Sequence, residues 1–300
     1  MLSLNERLNI VKNWAIHNKI EIILVAVILI LIFDSILILG FNKPQKTHIT
    51  KKALPVPTVK PTDTPFTTYK NPVFTKSERY DIYLIGDSMT NAFGPRGGIF
   101  NELLSKAYPG IFFEISNYAE ANQSILLLPA RLHESVQADH DLLLAPVLEG
   151  DPDMIIIESF GYNPLSQFGI ADGLKKQEEV LTQVMTTLTN RFPDTIIMFL
   201  TAIAPDKKTY GQKINPASAD ERWVQAEERI EYITNHIAYA LDHNIPLMNA
   251  YKESLDTRGD GDTKYINPDD NIHPSSEGLE LMGKVMTEKI IEENIFPKPE

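Results

Sequence analysis

Apolar residues follow three different rhythms along this chain, and each rhythm predicts a different kind of structure. From Ile22 to Phe41 the run is almost unbroken, with only Asp34, Ser35 and Gly40 interrupting it. That is enough helix to cross a hydrocarbon layer of about 30 Å. The polar lead over residues 1–21 is long for a secretory signal, and no small-residue cleavage pattern follows Leu39. A retained transmembrane anchor over 22–41 is therefore expected rather than a removed leader. Asp34 is costly in lipid, about 2.5–3.5 kcal/mol at a span's centre, and its place past the middle lessens that cost.

Beyond residue 80, short β-rich apolar runs predict five strands: Asp81–Ile85, Ile111–Ser116, Met154–Ile157, Thr195–Leu200 and Ile245–Met248. Longer segments with a helical period lie between and after them. Leu181, Met185, Leu188 and Phe192 recur at steps of three and four and place one buried face on a helix over Leu174–Phe192. Arg222–His243 and Ser276–Asn294 read the same way. Strands that are apolar on both faces and separated by helices indicate an α/β fold whose parallel sheet is covered on two sides. Ser124–Gly150 is longer than a crossover needs, and the reading there is a helical insertion near the site. No internal repeat is evident.

Between the apolar span and the alternating region, residues 42–75 carry Pro44, Pro55, Pro57, Pro61 and Pro65 among many threonines. Such a segment is a semi-extended spacer of about 3 Å per residue, leaving a folded domain over 76–300. Arg7, Lys12 and Lys19 precede the span, whereas Lys43, Lys46, Lys51, Lys52 and Lys60 follow it. The basic count alone would put the C-terminal side in the cytoplasm. A stiff spacer instead suits a domain held away from a bilayer, and a single-pass protein with an extracytoplasmic domain is the expectation adopted.

Charge separates the two parts of the chain. Residues 1–70 hold nine Lys+Arg against four Asp+Glu, which leaves 19 against 36, a net of −17, for residues 71–300. An acidic domain repels phosphate backbones and anionic headgroups, which argues against nucleic acid as a partner. The absence of cysteine excludes disulfides, thiolate metal sites and cysteine nucleophiles together.

Two short motifs carry the candidate chemistry. Gly86-Asp87-Ser88 follows the run Ile82–Ile85, at a strand's C-terminal end, where open parallel sheets place their ligands. Taken alone it could be a turn that caps a helix. Asp270-Asn271-Ile272-His273-Pro274 places an acid three residues before an imidazole, within reach of one ring nitrogen. A serine hydroxyl needs an imidazole to take its proton and a carboxylate to orient that imidazole, and Ser88, His273 and Asp270 supply all three. The alternative for the second motif is a loop that caps the following helix. No other histidine has an acid at that spacing; His17, His48, His133, His140, His236 and His243 are read as surface or helix residues. Asp256, Asp260 and Asp262 miss the spacing of an EF-hand calcium loop and are read as a solvated acidic loop. Glu158, beside Ile155–Ile157, is read as a strand-end acid with a local partner.

Gly86-Asp87-Ser88-Met89 together with Asp270-Asn271-Ile272-His273-Pro274 resembles the SGNH, or GDSL-like, esterase family, over roughly Arg79 to Ile295. The resemblance implies a flavodoxin-like three-layer sandwich with a five-stranded parallel sheet, here preceded by one transmembrane helix. It also implies an oxyanion hole made by the serine amide, a glycine amide from a second block and an asparagine side chain from a third. Asp153–Asn163 matches the third block, with Asn163 at the family asparagine and Pro164 where many relatives carry aspartate. Asn117–Ser124 matches the second block, but Asn122 stands at the glycine. Asparagine is the non-glycine residue best able to hold a left-handed backbone.

The function so implied is that of a membrane-tethered serine esterase without metal or organic cofactor. Its catalytic residues would be Ser88, Asp270 and His273, with Ser88, Asn122 and Asn163 forming the oxyanion hole. A small-molecule or glycan ester would be the substrate, with acyl or acetyl groups on envelope carbohydrate favoured. Two alternatives stay open: a catalytically inactive module of the same fold that binds glycan or protein, and an acyltransferase using the same site.

Overall fold

In the computed structural model, which describes residues 65–74 and 77–297, the short apolar runs become a sheet buried on both faces. The strands are β1 (Arg79–Ile85), β2 (Phe112–Asn117), β3 (Val136–Asp139), β4 (Leu142–Leu144), β5 (Met154–Glu158), β6 (Ile196–Leu200) and β7 (Leu247–Met248). Five of them form one wholly parallel sheet in the order β2-β1-β5-β6-β7. With the β3–β4 hairpin set aside this is the doubly wound order 2-1-3-4-5, whose switch point lies beside β1. Every residue of β5 and β6 is buried, which explains why both read as continuous apolar runs.

Successive residues of each strand serve opposite layers. Tyr80, Ile82 and Leu84 of β1, Met154 and Ile156 of β5, and Ile196, Met198 and Leu200 of β6 enter one core. Ile85, Ile155, Ile157, Ile197 and Phe199 enter the other. The helices are α1 (Ser88–Asn91), α2 (Gly98–Ala107), α3 (Leu128–Arg131), α4 (Ile170–Arg191), α5 (Ala219–Asp242), α6 (Ala250–Glu253) and α7 (Ser276–Glu292). Phe100 and Leu104 of α2 and Met282, Met286 and Ile290 of α7 close the first core. Leu181, Val184, Met185 and Leu188 of α4, with Tyr232, Tyr239 and Ala240 of α5, close the second. A side chain of this size, fully buried, contributes roughly 1.5–3 kcal/mol relative to exposure, so the two layers hold the sheet firmly.

Several expectations need correction. Ser124–Gly150 is not a helical insertion: it holds a 3-10 turn at Ile125–Leu127, the single turn α3, and the antiparallel hairpin β3–β4. Val136 and Leu144 are buried and fix the hairpin's inner face. Helix α2, absent from the sequence reading, is entered through its N-cap Gly97 and its first residue Gly98, whose φ values of +76° and +39° make a tight turn. His236 is a helix residue as read but is fully buried, its ring stacked on Phe199 at 4.2 Å. Burial pushes its imidazole down to about 3, an effect partly offset by the Ile157 carbonyl.

Residues 65–74, read as the end of the spacer, lie against the folded domain. Tyr69 is buried; its hydroxyl accepts from the Ile197 amide and donates to the Thr195 carbonyl, while its own amide donates to the His243 carbonyl. Phe66 is buried as well and stacks on His243 at 5.5 Å. The expected segment 1–21, the expected span 22–41 and most of the spacer lie outside the described residues. Among the described residues no helix is long and apolar enough to cross a membrane.

Candidate active site

The register of β1 against β5 pairs Ile85 with Ile157, so the chain leaves both strands side by side at the sheet's C-terminal rim. From β1 it makes the turn Gly86-Asp87-Ser88. A Cβ on Gly86 would lie 2.6 Å from Thr90 Oγ1 and 2.9 Å from the Glu158 Cβ, so only glycine lets the turn pass this close to β5. Asp87 is the N-cap of α1 and accepts from the Met89 amide at 2.9 Å. The capping reading of this turn is thus correct and coexists with a chemical one. Ser88 is the first residue of the helix, where the amide has no intrahelical acceptor.

The opposite side of the site comes from the loop before α7. Asn267 donates its amide to the His273 carbonyl at 2.7 Å, Asn271 donates to Asn267 at 2.8 Å, and Asn271 holds a φ of +58°. Ser275, not Asp270, caps α7, accepting from the Gly278 amide. This leaves Asp270 facing inward: its Oδ1 accepts from the Ile272 and His273 amides at 2.8 and 3.0 Å. Its Oδ2 lies 2.8 Å from His273 Nδ1. Burial raises the Asp270 carboxyl, but the His273 ring and the two amides more than offset this, and the net direction is below the ordinary carboxylate value.

Across the cleft, His273 Nε2 lies 3.0 Å from Ser88 Oγ, joining residues 185 positions apart. An ionised carboxylate only accepts, so Nδ1 carries the proton and Nε2 is the acceptor for the serine hydroxyl. A hydroxyl, an imidazole and a carboxylate in this order can pass the serine proton to the ring as the oxygen attacks an electrophile.

Asn122 is exposed and adopts a φ of +59°, the left-handed conformation a glycine would take there. Its loop is pinned to the serine turn. The Glu120 amide donates to the Gly86 carbonyl, Asn91 Nδ2 donates to the Ala119 carbonyl, and Asn117 Nδ2 donates to the Thr90 and Gly94 carbonyls. Asn163, in the turn after β5, donates from Nδ2 to Asp87 Oδ2 at 2.8 Å. One of its two amide protons is so engaged and the second is free to face a ligand. The sequence reading missed Asp87 as the group that orients Asn163; Gly-Asp-Ser by itself gives no sign of a partner 76 residues away. It also placed Glu158 at a strand end without seeing that the side chain is fully buried beneath the serine turn.

No curated protein matches the chain by sequence. Solved structures match its fold. A protein from Parabacteroides merdae described as a GDSL-like lipase aligns at 16% identity and a TM-score of 0.54, over 73% of this chain and 98% of that one. The lipase/acylhydrolase from Enterococcus faecalis aligns at 18% identity and a TM-score of 0.50, covering 74% and 100%. An acetyl xylan esterase, AlAXEase, aligns at 16% identity and a TM-score of 0.50, covering 70% and 99%. The family model described as GDSL-like Lipase/Acylhydrolase matches residues 82–286, from the first sheet strand into the last helix. The chain belongs to the GDSL-like lipase/acylhydrolase, or SGNH hydrolase, family of carboxylic ester hydrolases.

Proposed function

We propose that this protein hydrolyses carboxylic esters through a covalent acyl-serine, and that acetyl or short acyl groups on envelope carbohydrate are its substrates. The observation that carries the reading is the continuous relay of Ser88 Oγ, His273 Nε2, His273 Nδ1 and Asp270 Oδ2, at 3.0 and 2.8 Å. Ser88 Oγ forms a bond to the ester carbonyl carbon while its proton passes to His273. The carbonyl oxygen, now negative, is held by the amides of Ser88 and Asn122 and the free Nδ2 proton of Asn163. Collapse breaks the bond to the alcohol oxygen, which takes the proton from His273 and leaves. A water then repeats the sequence on the acyl-serine, and Asp270 stabilises the imidazolium at each stage.

The substrate class rests on two supports. One fold neighbour is an acetyl xylan esterase, and the proline-threonine spacer between the expected anchor and the domain suits a polymer lying away from a bilayer. On this reading the protein is a single-pass membrane protein whose folded domain is extracytoplasmic. The test is incubation of the protein and its Ser88→Ala variant with acetylated glycan. Free acetate released only by wild type supports the reading. Acetyl found only on an added acceptor sugar would make the protein a transferase, and equal background rates for both proteins would make it a binding module.

A further inference from the structure

Two carboxyls, both fully buried, lie against each other directly beneath the serine turn, and neither takes part in a bond-making or bond-breaking step of acyl transfer. Asp87 and Glu158 meet where β1 and β5 end: the Asp87 amide points at Glu158 Oε2 at 3.5 Å, a contact spanning 71 residues of sequence. Two such groups cannot both be ionised without a cation between them. The guanidinium that interacts electrostatically with Asp87, that of Arg131, is paired with Glu120 at 2.9 Å and donates to the Tyr118 carbonyl at 2.6 Å, so its charge is already shared with a carboxylate outside the pair. One proton must therefore be retained.

The donors decide which carboxyl retains it. Asp87 accepts from the Met89 amide on Oδ1 and from Asn163 Nδ2 on Oδ2, two bonds that favour its charged form. Glu158 sits on the rigid end of β5 with one well-formed donor, the neighbouring Ser159 hydroxyl on Oε1, and two looser amide contacts, from Phe160 and, at 3.5 Å, from Asp87. We propose that Glu158 is a positioning residue of the active site: it holds the proton, donates it to the Asp87 carboxylate, and thereby keeps the Ser88 turn and the Asn163 amide in register.

Burial, and then the adjacent Asp87 charge, push the Glu158 carboxyl well above its ordinary value, in the direction this assignment needs. The charged and titratable groups facing the pair from other elements are His273 on the loop before α7, Arg131 on α3, Tyr162 after β5, and Tyr210 with Arg229 of α5. None displaces the shared proton at neutral pH: His273 favours the Asp87 charge, and burial keeps both tyrosines neutral. At alkaline pH, loss of the proton would bring two buried negative charges together, and the turn carrying Ser88 would have to move.

The inference rests on the acyl-serine reading for its kinetic readout but not for its spectroscopic one. Glu158→Gln, whose amide donates as the protonated acid does, should keep close to wild-type turnover at neutral pH and lose the alkaline fall in activity. Glu158→Ala should lower kcat on the order of 100-fold with little change in KM, as expected when a reacting group is misplaced by about 1 Å. Thermal melts establish that both variants are folded. Independently, infrared difference spectra of the wild-type full chain at neutral pH should contain a protonated carboxyl band that Glu158→Gln lacks. Equal kcat losses in the two variants, or a wild-type spectrum without that band, would overturn the proposal. If the wild type has no esterase activity, the band still decides whether the proton is shared, so failure of the two readings can be told apart.

Discussion

Lowering the pH from 7 to 5 should cost this protein about 2 kcal/mol of stability through one residue, His236. The side chain is fully buried on α5 with its ring 4.2 Å from that of Phe199, and burial holds the imidazole neutral down to about pH 3, against 6.5 in an unfolded chain. The unfolded state therefore binds a proton that the folded state refuses. The sign follows: the stabilisation is fully present above pH 6.5 and is lost progressively as pH falls toward 3. Linkage puts the loss at about 2 kcal/mol at pH 5 and about 3 kcal/mol at pH 4. A domain stable by 5–15 kcal/mol feels such a term. His236→Phe keeps an aromatic ring on Phe199 and removes the titration. Urea unfolding of both proteins at pH 7 and pH 5 should show the wild type losing about 2 kcal/mol more than the variant across that interval. Other carboxylates contribute equally to both proteins and cancel. Parallel pH dependences would refute the reasoning and mean that the imidazole takes up its proton in the folded state as readily as in the unfolded chain.

Three further outcomes are expected. Asp270→Asn should lower kcat by about 10,000-fold with KM little changed, because the imidazole loses the acceptor that sets its tautomer, and steady-state kinetics checks it. Asn122→Gly should keep activity, since glycine adopts the observed φ of +59° freely, whereas Asn122→Val should lower kcat about 100- to 1000-fold by withdrawing one oxyanion donor; retained turnover in the valine variant would remove that amide from the site. Gly86→Ala should reduce turnover far more than it lowers the melting temperature, because its Cβ would press on Thr90 and Glu158 and shift Ser88.

Much of the fold was legible because its central strands are apolar on both faces. Met154–Ile157 and Thr195–Leu200 fall within one residue of β5 and β6, since two-sided burial leaves a continuous signal. Helix α4 begins at Ile170, ahead of the expected Leu174, and Gly173 sits inside it where the Tyr232 hydroxyl takes the room of a Cβ. The β3–β4 hairpin was not legible, since a short run such as Leu142-Leu143-Leu144 fits helix or strand and only its pairing with Val136 and Gln137 decides. At the site, Ser88, Asp270 and His273 were readable because each sits in a motif with its own local logic. The contacts of Asp87 with Glu158 and Asn163 were not, because they join β1 to β5 across more than 70 residues and no local pattern encodes them.

Covalent capture of the nucleophile tests the central claim most directly. The full-length protein treated with an ester-mimicking phosphonate and then digested should yield a single adduct on Ser88 by mass spectrometry, absent from Ser88→Ala and formed far more slowly in Asp270→Asn. An unmodified Ser88 peptide, or an adduct that forms equally fast without Asp270, would contradict the account.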